Sequence, residues 1–216
     1  MVRARLGVIS RVAGDALDMP RHLGSLQKRR WRRVFSNLKK NFKYNRGTDM
    51  PTVTFQGNPL HLVGDLPKIG APAPDFTLVA NDLSARGLKD FAGKILVLAC
   101  VPSLDTPVCD LEMRRFNAEA AKLSDRVRIV AVSRDLPFAQ ARWCGAANAD
   151  AVETLSDYRD AGFGRAYGVL IEELRLLARA VFVVAPDGTL AYSQLVPEMA
   201  SEPDYAAVLA AVKALA

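Results

Sequence analysis

Ile95-Leu96-Val97-Leu98-Ala99-Cys100-Val101 runs directly into Pro102-Ser103-Leu104-Asp105-Thr106-Pro107-Val108-Cys109, and the reading of this join decides the fold. The first seven residues form a continuous apolar run, the pattern of a strand in a sheet covered on both faces. Pro107 suits the first turn of a helix, and Leu111, Phe116, Ala120 and Leu123 follow it at roughly helical spacing. Cys109 then falls in that first turn, where unpaired backbone N–H groups and the positive end of the helix dipole favour an anion. A helix N-terminus is one of the settings in which a cysteine ionises more readily than its free pKa of about 8.5 allows. Thr106 is placed either to hydrogen-bond the sulfur or to cap the helix. The same residues equally suit a plain strand-to-helix turn with an incidental cysteine, because a free cysteine often serves as a small buried hydrophobe.

Outward from this join the chain alternates between strand and helix patterns. Val53-Thr54-Phe55-Gln56 and Leu60-His61-Leu62-Val63 flank Gly57-Asn58-Pro59 and predict a small hairpin. Asp75 to Val79 and Val127 to Ser133 read as strands, with a helix over 108–123 between them. Pro137 opens a short helix through Trp143, and a second helix is expected from about Tyr158 to Tyr167. Ala180 to Ala185 and Leu190 to Val196 enclose Pro186-Asp187-Gly188 as a turn between antiparallel strands. Pro203 starts a last helix with Tyr205, Val208, Leu209, Val212 and Leu215 on its apolar side. Buried strands alternating with helices, then a hairpin and a closing helix, predict a three-layer α/β domain. Residues 51–216 are enough for one core, and half of the whole chain is hydrophobic.

Charge divides the chain sharply at Met50. Residues 1–50 hold 13 Lys and Arg against 3 Asp and Glu, a net of +10, while residues 51–216 hold 16 against 20, a net of −4. The leader is expected to be disordered or to come from a start codon assigned too early, the functional protein then beginning at Met50. A targeting role is the remaining alternative, although the apolar centre of a secretory signal is missing. No run of eighteen apolar residues is present to span a membrane.

Each cysteine has its own reading. Cys100, inside the strand, is a core residue. Cys144 follows Trp143 at the end of a short helix, and the small residues of Gly145-Ala146-Ala147-Asn148-Ala149-Asp150 after it would let the segment move. No Cys-x-x-Cys pair occurs. With His22 and His61 the only histidines, no zinc site is expected, and nothing calls for a cofactor.

Pro102, Thr106 and Cys109 form the Pro-x-x-x-Thr-x-x-Cys signature of peroxiredoxins, and the chain resembles the thiol-peroxidase branch of that family. The likeness also rests on Thr54-Phe55-Gln56-Gly57-Asn58-Pro59, on Asp75-Phe76-Thr77-Leu78-Val79 and on Asp135-Leu136-Pro137-Phe138-Ala139-Gln140 with Trp143-Cys144-Gly145. Ala178-Arg179-Ala180-Val181-Phe182-Val183 and Ser193-Gln194-Leu195-Val196 extend it over about residues 52–215. The resemblance implies a thioredoxin-like fold with a central mixed sheet, flanking helices and an N-terminal β-hairpin. It implies that Cys109 attacks peroxide, that Cys144 resolves the product as an intramolecular disulfide, and that thioredoxin recycles it in the cytoplasm. It assigns Thr106, Arg179 and the backbone near Cys109 as donors to the peroxide, gives Pro102 the task of shielding the sulfur, and implies a homodimer. Read without the family, Arg179 is also consistent with a strand-end arginine that reaches water. One departure stands out: Leu170 to Leu177 lacks the glycine-containing loop expected before Arg179.

Two other function classes compete. A cysteine hydrolase would need a histidine base, for which His61 is the candidate. A nucleic-acid-binding protein is suggested only by the basic leader, with its Lys28-Arg29-Arg30-Trp31-Arg32-Arg33 cluster. Neither accounts for the ordered motifs after residue 52.

Overall fold

The computed structural model describes residues 51–216, so the expectations for residues 1–50 lie outside the described residues. The expected hairpin forms from β1 (Thr52–Phe55) and β2 (Asn58–Val63). Phe55 pairs with Asn58, so the turn is Gln56-Gly57, both at positive φ, and Asn58-Pro59 belongs to the strand. Such two-residue turns match the twist of the strands they join.

The remaining strands are β3 (Thr77–Val79), β4 (Ala85–Gly87), β5 (Ile95–Cys100), β6 (Val127–Ser133), β7 (Val152–Ser156), β8 (Leu170–Ile171), β9 (Ala180–Val184) and β10 (Leu190–Leu195). The helices are α1 (Pro107–Ala120), α2 (Pro137–Ala147), α3 (Gly162–Ala166) and α4 (Tyr205–Leu215). Seven strands make one mixed sheet in the order β10-β9-β5-β6-β7-β3-β4, and β1-β2-β8 form a smaller sheet. β5, β6 and β7 run parallel, while β9 pairs antiparallel with β5. This is the thioredoxin-like α/β arrangement with a central mixed sheet, flanking helices and an N-terminal hairpin.

β5 is buried along its whole length, as its apolar run requires, and its side chains alternate between two cores. Ile95, Val97 and Ala99 face Met113 and Phe116 of α1, Trp143 of α2 and Val208 of α4. Leu96, Leu98 and Cys100 face Phe163, Tyr167, Phe182 and the hairpin residues Val53 and Leu62. Cys100 and Cys109 therefore lie on opposite faces of the sheet.

Two local expectations are corrected, and one strand has no counterpart among them. Leu111, read as part of the apolar face of α1, is 54% exposed. The buried stripe is instead Cys109, Glu112, Met113 and Phe116, at helical spacings of three and four. The helix expected over Tyr158–Tyr167 is only Gly162–Ala166, because Ala161 is left-handed and the Asp157 carboxylate takes the Phe163 and Gly164 N–H groups at 3.2 and 2.9 Å. The strand β7 before it was not legible, since Glu153, Thr154 and Ser156 interrupt its apolar pattern. Each finds a partner: Glu153 binds Arg86, Thr154 binds Asn81, and Ser156 donates to the Asp135 carbonyl. Polar groups buried with partners escape most of the desolvation cost.

Candidate active site

β5 ends one residue before Val101, and the buried Pro102, lacking an N–H, adds nothing to the ladder. The loop that follows is fixed by Asp135 at the end of the neighbouring strand. Its carboxylate accepts from Ser103 Oγ at 2.7 Å, from the Leu104 N–H at 2.8 Å and from Ser133 Oγ at 2.8 Å. Thr106 takes the N-cap position with extended backbone, and Pro107 opens α1. Cys109 is thus the third helical residue, in the turn whose N–H groups lack helical partners, and it is fully buried. Thr106 fills neither expected side-chain role here. Its hydroxyl donates to the Ser103 carbonyl at 3.0 Å, an acceptor already brought close by the turn that the Thr106 N–H closes onto the same oxygen.

Arg179 does not reach for water: it lies just before β9 and is 1% exposed. One guanidinium nitrogen donates to Cys109 Sγ at 3.4 Å. Two donate to the Met199 carbonyl at 3.0 and 3.2 Å, and the third meets the carboxylate of Glu112. The hairpin holds the Met199 segment in place. Thr54 exchanges backbone bonds with Pro197 and Met199, and Glu198 accepts from Thr54, Gln56 and Gly57. The missing glycine loop before Arg179 has a substitute. Arg175 itself adopts the left-handed conformation, with its N–H on the Ile171 carbonyl at 2.9 Å.

Glu112 was missed in the sequence, where a charged residue reads as solvent-facing. The available signal was its spacing, three residues after Cys109 and so on the same helix face. Burial pushes its pKa from 4.5 up to about 7, against the pull of Arg179. Burial works against the charge on Arg179 as well, yet Glu112 and Cys109 hold it above its ordinary value. Because the raised pKa belongs to the folded state, the neutral carboxyl favours folding fully below pH 4.5, and that contribution is lost as pH rises towards 7. In Glu112→Gln this decline should vanish. Thermal unfolding of both proteins across that interval tests it: a stability difference independent of pH would show that Glu112 titrates normally.

Cys144 lies within α2 and not at its end, a correction to the expected mobile segment. Gly145, Ala146 and Ala147 continue the helix, since alanine propagates it well and one glycine costs only about 1 kcal/mol. Left-handed Asn148 then stops it, with the Asn148 and Ala149 N–H groups on the Cys144 carbonyl. Cys144 Sγ sits 3.4 Å from Thr154 Oγ1 and is half-buried, and all three cysteines are free thiols. The structure thus gathers Pro102, Thr106, Cys109 and Arg179 at one end of β5 and α1, with Cys144 packed against the apolar cluster that holds Cys109. Burial raises the Cys100 pKa well above the usual thiol value, with Glu112 and Asp157 adding to it. His61 pairs with Glu173 at 2.5 Å in the small sheet, beside the core on the other face from Cys109. The charged neighbour of the Cys109 sulfur is an arginine, which cannot act as a base. Among the described residues no helix is long and apolar enough to cross a membrane.

The Redoxin family model matches residues 68–209. The thiol peroxidase of Bacillus subtilis is 52% identical over 166 residues, spanning 77% of this chain and 99% of its own. That of Staphylococcus aureus strain MRSA252 is 51% identical over 164 residues, spanning 76% and 99%. Among solved structures, a peroxiredoxin-like protein from Aquifex aeolicus superposes with a TM-score of 0.72 at 42% identity, over 78% of this chain and all of its own. A Chromobacterium violaceum thiol peroxidase shares the fold at 20% identity, with a TM-score of 0.69 over 77% of this chain and 97% of its own. A buried helix-N-terminal cysteine facing an arginine, on a thioredoxin-like sheet, joins these similarities in one conclusion: the chain belongs to the redoxin family as a peroxiredoxin of the thiol-peroxidase branch, a thiol-dependent peroxidase.

Proposed function

We propose that Cys109 is the peroxide-reactive thiol, that Cys144 resolves it within the same chain, and that thioredoxin reduces the resulting disulfide. The observation that carries this reading is the Arg179 guanidinium against the Cys109 sulfur in the first turn of α1. The Cys109 thiolate attacks one peroxide oxygen, so that an S–O bond forms as the O–O bond breaks, and the departing oxygen takes a proton to leave as water or alcohol. Negative charge grows on that oxygen in the transition state, and a fixed guanidinium donor beside it lowers the barrier. Thr106 adds a hydroxyl at the exposed rim once a peroxide oxygen competes for it with the Ser103 carbonyl, while Pro102 walls the sulfur from water. The Cys144 thiol then displaces water from the sulfenic acid to form the S–S bond, which a dithiol protein reopens by exchange.

The same reading assigns residues 51–216 to one peroxidase domain and residues 1–50 to a basic extension outside it, in a protein working in a reducing cytoplasm. Leu111, Leu136 and Phe138, at 54%, 52% and 67% exposure, surround the starts of α1 and α2 and favour a homodimer that covers them. Sedimentation showing only monomer would remove the dimer. An apolar rim of this kind also favours organic hydroperoxides alongside hydrogen peroxide, and a catalytic efficiency lower for the organic substrates would count against that preference.

Cys144→Ser tests the resolving step. It should consume one equivalent of peroxide at the wild-type rate and then stall as sulfenic or sulfinic acid, with turnover on thioredoxin lost. Normal turnover in this variant would mean that another thiol resolves Cys109.

A further inference from the structure

The two cysteine helices are tied by the residues next to the cysteines. Asp110, the residue after Cys109, accepts a hydrogen bond at 2.9 Å from the indole N–H of Trp143, the residue before Cys144. Arg114 braces the same carboxylate with two bonds at 2.9 and 3.0 Å from its Nε, and its guanidinium also reaches the Ala147 carbonyl at 3.3 Å. One turn further along α1, Asn117 donates to the Asn148 carbonyl at 3.4 Å and accepts the Ala151 N–H at 2.9 Å. Positions 110, 114 and 117 share one helix face, so α1 is stitched to the last turns of α2 along a single seam. Arg114, and after it Trp143, hold the Asp110 carboxyl below its usual range, so Asp110 is ionised and its bond to the indole is charge-assisted.

The sulfurs themselves are turned to different partners, Cys109 to Arg179 and Cys144 to Thr154. A disulfide needs S–S contact and Cα atoms within about 7 Å, so at least one helical turn must let go of its present neighbours. A turn that carries Cys109 away from Arg179 carries Asp110 with it. A turn that frees Cys144 carries Trp143. Either movement breaks the Asp110–Trp143 bond, which makes that bond common to every route between the two thiols.

We propose that Asp110 and Trp143 form a latch that holds Cys109 in its peroxide-reactive place and limits how fast it reaches Cys144, a role resting on the reading of the two cysteines given above. While the latch is closed, a sulfenic acid at Cys109 remains beside Arg179, where a second peroxide can oxidise it to sulfinic acid with release of water or alcohol. Opening the latch instead delivers the sulfur to Cys144, which expels water and forms the disulfide. Asp110 and Trp143 are positioning residues in this scheme, since neither touches the reacting atoms. Latch strength therefore sets the partition between recycling and inactivation.

The test uses Trp143→Phe, which keeps an aromatic ring in the core but removes the N–H, and Asp110→Ala, which removes the acceptor at a partly exposed helix position. A hydrogen bond to a charged group is stronger than a neutral one, so each variant should form the Cys109–Cys144 disulfide about tenfold faster. Each should also show a smaller sulfinic fraction at a fixed excess of peroxide, read by mass spectrometry. The double variant should be no faster than either single one, because both remove the same bond. A general loosening of the fold would instead give additive effects, and additive or absent acceleration overturns the latch. Should the wild type form no Cys109–Cys144 disulfide, the reading of the two cysteines fails first; should it form one at a rate that both variants leave unchanged, only the latch fails.

Discussion

Cys109→Ser is expected to abolish peroxide reduction, while Cys100→Ser should retain it. The two cysteines are nine positions apart in sequence yet face opposite cores. Cys109 has a guanidinium at 3.4 Å and a place in the first turn of α1, whereas Cys100 is enclosed by apolar side chains and its thiol is held neutral by burial. A serine at position 109 has the same shape but a hydroxyl too weakly acidic to supply the nucleophile. At position 100 the new hydroxyl enters an apolar cluster and should lower stability by about 1–3 kcal/mol, without touching the chemistry. Peroxide consumption by the two folded variants decides the matter, and equal loss in both would refute the assignment.

Arg179→Lys should slow the oxidation of Cys109 by at least tenfold and lower the melting temperature. The guanidinium spans three partners at once: Nη1 meets Glu112, Nε donates to the Met199 carbonyl, and Nη2 is shared between that carbonyl and Cys109. A lysine ammonium is a point charge on a flexible stem and cannot keep all of these in a fixed array. A lost charge-assisted bond to the sulfur is worth about 1.5–3 kcal/mol, or roughly tenfold and upward in rate. The stability loss has a separate origin. Glu112 is completely buried, and weakening its partner leaves an uncompensated carboxylate in the core. Stopped-flow oxidation at the wild-type rate by the folded variant would remove Arg179 from the site.

The sequence was most legible where chemistry and periodicity coincide. The apolar run of β5 and the proline after it announced both the central strand and the start of α1, and the antiparallel pair β9 and β10 followed from the turn at Asp187-Gly188. Reading failed where tertiary partners override local pattern. β7 is hidden because Thr154 and Ser156 are polar; Thr154 accepts from Asn81 and Ser156 donates to the Asp135 carbonyl, partners 73 and 21 positions away in sequence. Glu112 was hidden because only Arg179, 67 positions later, makes a buried carboxylate tolerable on the face of α1. Cys144 was seen, but its helix was cut short, because the stop at Asn148 is a backbone conformation and not a composition. Asp135 shows the same limit from another side. It was noticed as part of a motif, while its task of tying the loop before Cys109 to β6 is visible only in three dimensions.

The central claim is that oxidising equivalents enter at Cys109 and pass to Cys144 within one chain. Peptide mapping under non-reducing conditions, after reduced protein receives one equivalent of peroxide, tests it most directly. The account predicts a single Cys109–Cys144 cross-link in a monomeric chain with Cys100 still a free thiol; a cross-link that includes Cys100, or one that joins two chains, would contradict it.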